Sequence, residues 1–118
     1  MNFNIEKKNN NSVLIKLDGR LIGDFQTIEL NDRLDETLEE NYNNIIFDLS
    51  ELEYINSTGL SFFLKTLTKV RRQDGEVILC SLNALLNNLL VTTKLSSFFT
   101  ICKDADEALN YLSKEKSL

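Results

Sequence analysis

Two short runs, Ile45-Ile46-Phe47-Asp48-Leu49 and Glu76-Val77-Ile78-Leu79-Cys80, are rich in β-formers and show little in–out alternation. A strand that is apolar toward both sides needs cover on both sides, which is the condition of a central strand in a parallel sheet with helices packed over it. Between these runs, Leu60, Phe63, Leu64, Leu67 and Val70 recur at helical spacing. Strand, helix and strand in that order define a βαβ unit, whose crossover is right-handed.

The flanking segments extend the pattern. Phe3 to Lys7 alternates weakly, Asn9-Asn10-Asn11-Ser12 is a polar turn, and Val13, Ile15 and Leu17 alternate with Leu14, Lys16 and Asp18. These two stretches read as an antiparallel hairpin that stops at Asp18-Gly19. Asp24 to Asn41 reads as an amphipathic helix, with Leu30, Leu34 and Leu38 on its inner stripe and Phe25 and Ile28 ahead of them. Its other face carries Glu29, Asp32, Asp35, Glu36, Glu39 and Glu40, the composition of a solvated face. After Gly75 and the second apolar run, Asn83 to Val91 forms a leucine-rich helix and Ser97 to Ile101 a last strand. Asp104 with Glu107 resembles a capping box that opens a helix striped by Ala105, Ala108, Leu109 and Leu112. The expected architecture is α/β: a mostly parallel sheet of about five strands, an N-terminal antiparallel hairpin and about four helices, in a single domain over residues 1–118. If the strands are added in sequence order, one-handed crossovers keep the helices largely on one face.

The absences narrow the chemistry. With 118 residues the chain has no histidine and only two cysteines. A hydrolase with a histidine base, a four-ligand structural zinc and a histidine-held haem are therefore excluded. Gly19, Gly23, Gly59 and Gly75 form neither a phosphate-binding loop nor a dinucleotide fingerprint. Asp48, Ser50, Ser57 and Lys65 are the formal candidates for catalysis, but no general base stands beside Ser57 to activate it. The expectation is a binding protein with no enzyme activity, no cofactor and no metal. A net charge of −5 argues against direct nucleic-acid binding and against an anionic membrane surface, and favours a basic protein partner. Met1 to Glu6 is not followed by the apolar core of a signal peptide, and no apolar run approaches the ~20 residues of a membrane helix. No membrane insertion and a cytoplasmic location are expected. Cys80 and Cys102 fall at the ends of predicted neighbouring strands, a placement that suits two free buried thiols and also invites a redox role.

The segment from Phe47-Asp48-Leu49-Ser50 to Tyr54-Ile55-Asn56-Ser57-Thr58-Gly59-Leu60 carries the most information. A loop is expected from Ser50 to Ile55, and the segment sets hydroxyls between a strand end and a helix start, where α/β sheets place their functional loops. A helix N-terminus offers unpaired N–H groups and a partial positive charge. Asn56 or Ser57 serves as N-cap, and Gly59 allows the first turn to pack closely.

This segment resembles the signature of the anti-sigma-factor antagonist domain, the STAS domain, in which a strand ending Asp-Leu-Ser leads to apolar-Asp-Ser-Ser/Thr-Gly-Leu. Asp48-Leu49-Ser50 and Ile55-Asn56-Ser57-Thr58-Gly59-Leu60 match it, and Leu17-Asp18-Gly19-Arg20-Leu21 is similar to the family's turn. The family's Asp is Asn56 here. A second acidic position, in the loop beside Leu21, is taken by Ile22, with Asp24 two residues on.

The resemblance implies a bacterial partner-switching protein. The unphosphorylated antagonist binds an anti-sigma factor that is also its serine kinase, which frees a sigma factor for transcription. The kinase phosphorylates the serine after the motif's Asp, and a PP2C-type phosphatase reverses it. By position that serine is Ser57, with Thr58 the second choice. Leu21, Ile22, Gly23 and Asp24 would form one part of the partner surface, and Asn56, Ser57, Thr58, Gly59, Leu60 and Phe62 the other. The alternative that the resemblance implies is a cytosolic STAS adaptor subunit of a transport complex, binding without phosphorylation.

Overall fold

The computed structural model describes residues 1–116. Its elements follow the order β1 (Asn2–Lys8), β2 (Ser12–Leu21), a 3-10 turn (Asp24–Thr27), α1 (Ile28–Glu39), β3 (Asn44–Ile55), α2 (Ser57–Arg71), β4 (Glu76–Cys80), α3 (Ala84–Thr92), β5 (Thr100–Cys102) and α4 (Ala105–Lys116). The sheet is five-stranded, in the order β1-β2-β3-β4-β5. β1 pairs antiparallel with β2, and the other pairs are parallel. The expected α/β architecture and its N-terminal hairpin are therefore those of the molecule.

The near-continuous apolar runs are explained by two cores. Ile45, Phe47 and Leu49 of β3, with Val77 and Leu79 of β4, face α1, α2 and α3; their partners include Leu34, Phe63, Leu67, Val70 and Leu86. Phe47 meets Phe62 and Phe63 edge-on, with centroids 6.0 and 5.1 Å apart. The intervening Ile46, Ile78 and Cys80 face the other way, onto Ala108 and Leu112 of α4. The three crossover helices thus share one face, as crossovers of one hand require. α4 packs on the opposite face.

Two expectations need correction at the end of the sheet that carries the motif. β2 does not stop at Asp18-Gly19, and Ser50 to Ile55 is not a loop. Both continue as paired strands, through Asp18↔Glu51, Gly19↔Leu52, Arg20↔Tyr54 and Leu21↔Ile55. Two register shifts interrupt this ladder, between Lys16 and Asp18 and between Gly19 and Arg20. Each leaves an extra residue on β3 and re-aims the residues after it. The buried residues of β3 consequently become Leu49, Leu52 and Ile55, a spacing of three in place of two. Gly19 sits in the bulged stretch with φ +106°, a conformation that L side chains rarely adopt. Pairing with β4 ends at Asp48↔Cys80, so β2 and β3 project together beyond the rest of the sheet.

Other boundaries also move. The expected helix from Asp24 to Asn41 starts with the 3-10 turn, and α1 proper begins at Ile28. Ile28 stands two residues before Leu30, more than half a turn around the helix from the inner stripe. Phe25 and Ile28 are left 76% and 63% exposed, while Leu30, Leu34 and Leu38 are buried as expected. The last strand is Thr100–Cys102, not Ser97 to Ile101; Phe99 turns into the core and Phe98 faces outward.

Candidate functional site

The motif lies where the projecting ends of β2 and β3 meet the start of α2. Asn56 is the N-cap of α2, which settles the choice left open between Asn56 and Ser57. Its Oδ1 accepts hydrogen bonds from the backbone N–H groups of Thr58 at 3.0 Å and Gly59 at 3.2 Å, satisfying two of the orphan donors of the helix. Its Nδ2 donates to the carbonyl oxygen of Ile22 at 3.0 Å. One side chain therefore ties the helix start to the loop after β2.

A second amide holds the same loop from the other side. Gln26 Oε1 accepts from the N–H groups of Ile22 at 2.8 Å and Gly23 at 2.9 Å, and Gln26 Nε2 donates to the Arg20 carbonyl at 2.7 Å. Gly59 allows the helix to close on the loop: a Cβ there would stand 2.8 Å from the Leu21 carbonyl oxygen and 2.9 Å from Ile55 Cβ. Both distances lie well inside van der Waals contact.

This scaffold presents Ser57 as the first residue of α2, exposed to solvent. Thr58 beside it is half-buried. Exposed apolar side chains rim this end of the sheet. On one side, Ile22 is 44% exposed, and Phe25 lies with its ring close over the backbone of Gly23. Near them is a cavity of about 250 Å³ lined by Asp24, Thr27, Ile28, Asn31, Phe62 and Lys65. On the other side, a groove of about 370 Å³ is lined by Tyr54, Ile55, Asn56, Ser57, Leu60, Leu85, Leu89 and Thr93. The Arg20 guanidinium lies over the Tyr54 ring at 5.2 Å. Among the described residues no cluster of His, Cys, Asp or Glu could hold a metal ion. No described helix is long and apolar enough to cross a membrane.

The residues singled out from the sequence divide into two roles. Ile22, Asp24 and Ser57 are exposed, and Gly23, Asn56, Thr58 and Leu60 half-buried, all at this one end of the sheet. Leu21, Gly59 and Phe62 are buried; they shape the surface from beneath and offer a partner no exposed side chain. Phe25 and Ile28, read from the sequence as leading into the apolar stripe of the helix, belong to the exposed rim. Leu85, Leu89 and Tyr54 were not anticipated, because α3 and the extension of β3 reach the motif only through tertiary packing. Asp48-Leu49-Ser50 lies further down β3, where Asp48 Oδ1 accepts from the Ser50 N–H at 3.0 Å.

Comparison with known families supplies the deciding observation: the family model of the STAS domain matches residues 2–108. The chain belongs to the STAS domain family. Among curated relatives of this STAS domain, the anti-sigma F factor antagonist of Paenibacillus polymyxa is 28% identical over 117 residues, covering 97% of this chain and 96% of the relative. The fold is shared with SpoIIAA of Bacillus in its phosphorylated form, at a TM-score of 0.74 and 17% identity, over 94% of this chain and 99% of that one. The unphosphorylated form of the anti-sigma factor antagonist SpoIIAA gives 0.73 at 16% identity, over 99% and 100%.

Proposed function

We propose that this single STAS domain is a cytoplasmic anti-sigma factor antagonist: it binds an anti-sigma factor that is also a serine kinase, and phosphorylation at Ser57 switches the binding off. The observation that carries the reading is an exposed hydroxyl at the first position of α2, beside an apolar groove and next to a loop tied down by the amides of Asn56 and Gln26. The curated antagonist relative and the two phosphorylation states in which SpoIIAA has been solved support it.

The physics of the switch is local. A phosphoserine brings about −1.5 to −2 charges and three acceptor oxygens. At a helix N-terminus that charge is tolerated by the fold. In a desolvated contact it is costly, and a 1,000-fold loss of affinity needs only about 4 kcal/mol. The exposed acidic face of α1 suits a basic partner, in line with the net charge of −5. A PP2C-type phosphatase completes the cycle.

The test is binding of the host's serine-kinase anti-sigma factors to the parent chain and to Ser57→Asp, by calorimetry. The reading expects the parent to bind and the variant to lose at least about 100-fold. Equal binding by both would remove the switch. Capture of a transporter in place of any anti-sigma factor would move the domain to the adaptor class.

A further inference from the structure

Cys80 and Cys102 are register partners on the neighbouring parallel strands β4 and β5. Adjacent strands lie about 4.7–4.9 Å apart, and a disulfide needs a Cα separation of about 4.4–6.8 Å. Both thiols are free, buried, and in the same cluster as Ala108 and Leu112 beneath α4. The switch proposed above uses neither of them. We infer that Cys80 and Cys102 form a reversible oxidation site, which a small two-electron oxidant of the peroxide class converts into an intrachain disulfide.

Access is through Cys102. It lines an open cavity of about 410 Å³ at the free edge of β5, together with Thr100, Ile101, Glu107 and Tyr111. Cys80 lies deeper, its Sγ donating to the Phe47 carbonyl at 3.3 Å. The Cys102 thiolate attacks one peroxide oxygen, the O–O bond breaks, and Cys102 becomes a sulfenic acid with release of water. The Cys80 thiolate then attacks the Cys102 sulfur and displaces the hydroxyl as a second water. In total two thiols lose two protons and two electrons to one hydrogen peroxide. Register partners keep their Cβ atoms slightly further apart than a relaxed disulfide prefers. The edge strand must therefore draw inward, and a bond closed under strain is readily reduced again. β5 is only three residues long and paired on one side, so it is the strand best able to yield.

The surroundings make this a slow staple. Burial and the charges of Asp48 and Asp104 raise the Cys80 thiol to about 12, and burial with Glu107, Glu76 and Asp104 raises Cys102. The thiolate is scarce at neutral pH and its supply grows with pH. The loop that the disulfide closes contains the whole of α3, the helix that supplies Leu85 and Leu89 to the groove beside Ser57.

The experiment is mass spectrometry of the intact, folded chain after hydrogen peroxide, with peptide mapping, at pH 7, 8 and 9. The expected product is a monomer lighter by two hydrogens, linked Cys80 to Cys102, formed up to tenfold faster per pH unit and reversed by a dithiol. Its melting temperature should rise by about 5–10 °C. Cys102→Ser and Cys102→Ala should each abolish the product, and either one that folds suffices. Sulfinic acid on Cys102 without a disulfide, disulfide-linked dimers, or thiols left unmodified at pH 9 would each overturn the inference.

Discussion

The side-chain amide of Asn56 donates to the Ile22 carbonyl at 3.0 Å while its oxygen caps α2 at Thr58 and Gly59. An aspartate at this position would keep both cap bonds and lose the third, because a carboxylate has no proton to give a carbonyl. The Asn56 of this chain, where the family motif has Asp, is thus a link between the helix start and the loop after β2. Asn56→Ala should cost about 1 kcal/mol through loss of the cap. Asn56→Asp should stay within about 0.5 kcal/mol of the parent, since its charge suits the helix N-terminus, yet hydrogen exchange at Ile22 and Gly23 should speed up several-fold. Unchanged exchange in Asn56→Asp would show that the loop does not depend on this bond.

Gly59→Ala tests the close approach of α2 to β2. Helix propensity alone favours alanine by about 1 kcal/mol. The new Cβ would stand 2.8 Å from the Leu21 carbonyl oxygen, where neither backbone can yield cheaply. A net destabilisation of about 1–3 kcal/mol is expected in urea unfolding. A stabilised variant would mean that the helix shifts freely.

How far the sequence disclosed this site depends on periodicity. Leu30, Leu34 and Leu38 repeat every four residues and are buried as read. Phe25 and Ile28 were set ahead of that stripe and are exposed, because Ile28 stands two residues before Leu30, more than half a turn around α1, and Phe25 lies in the 3-10 turn before the helix. The extension of β3 was read as a loop because two bulges turn an alternation of two into a spacing of three, Leu49, Leu52 and Ile55. Asn56-Ser57-Thr58-Gly59 was legible because capping is local chemistry. The groove was not, because Leu85 and Leu89 are distant in sequence from Ser57 and meet it only in the folded molecule.

The exposed rim gives a mutation that separates binding from folding. Phe25 is 76% exposed, so Phe25→Ser should change stability by less than about 0.5 kcal/mol. An aromatic anchor near the centre of an interface is commonly worth about 2 kcal/mol or more. Affinity for the anti-sigma factor should then fall at least about 30-fold. Full affinity in Phe25→Ser would place the contact elsewhere.

Stability should fall at alkaline pH because of the buried thiols. Cys80 is raised to about 12 and Cys102 is raised as well. The unfolded chain therefore releases these protons first, from about pH 8.5. The Cys80 contribution is complete below that pH and is lost as pH climbs toward 12, by at most about 1.4 kcal/mol per unit, and the Cys102 contribution falls in the same direction. Urea unfolding at pH 8, 9 and 10, under reducing conditions, should show a steeper decline in the parent than in Cys80→Ala. Parallel declines would mean that the thiols are not the cause.

The central claim rests on one hydroxyl. The most direct measurement is the mass of the full chain, with peptide mapping, after incubation with ATP and each serine-kinase anti-sigma factor of its host. The account predicts a single phosphoryl group on Ser57 and none on Ser57→Ala. No phosphoryl group with any of the kinases, or one that survives Ser57→Ala, would contradict it.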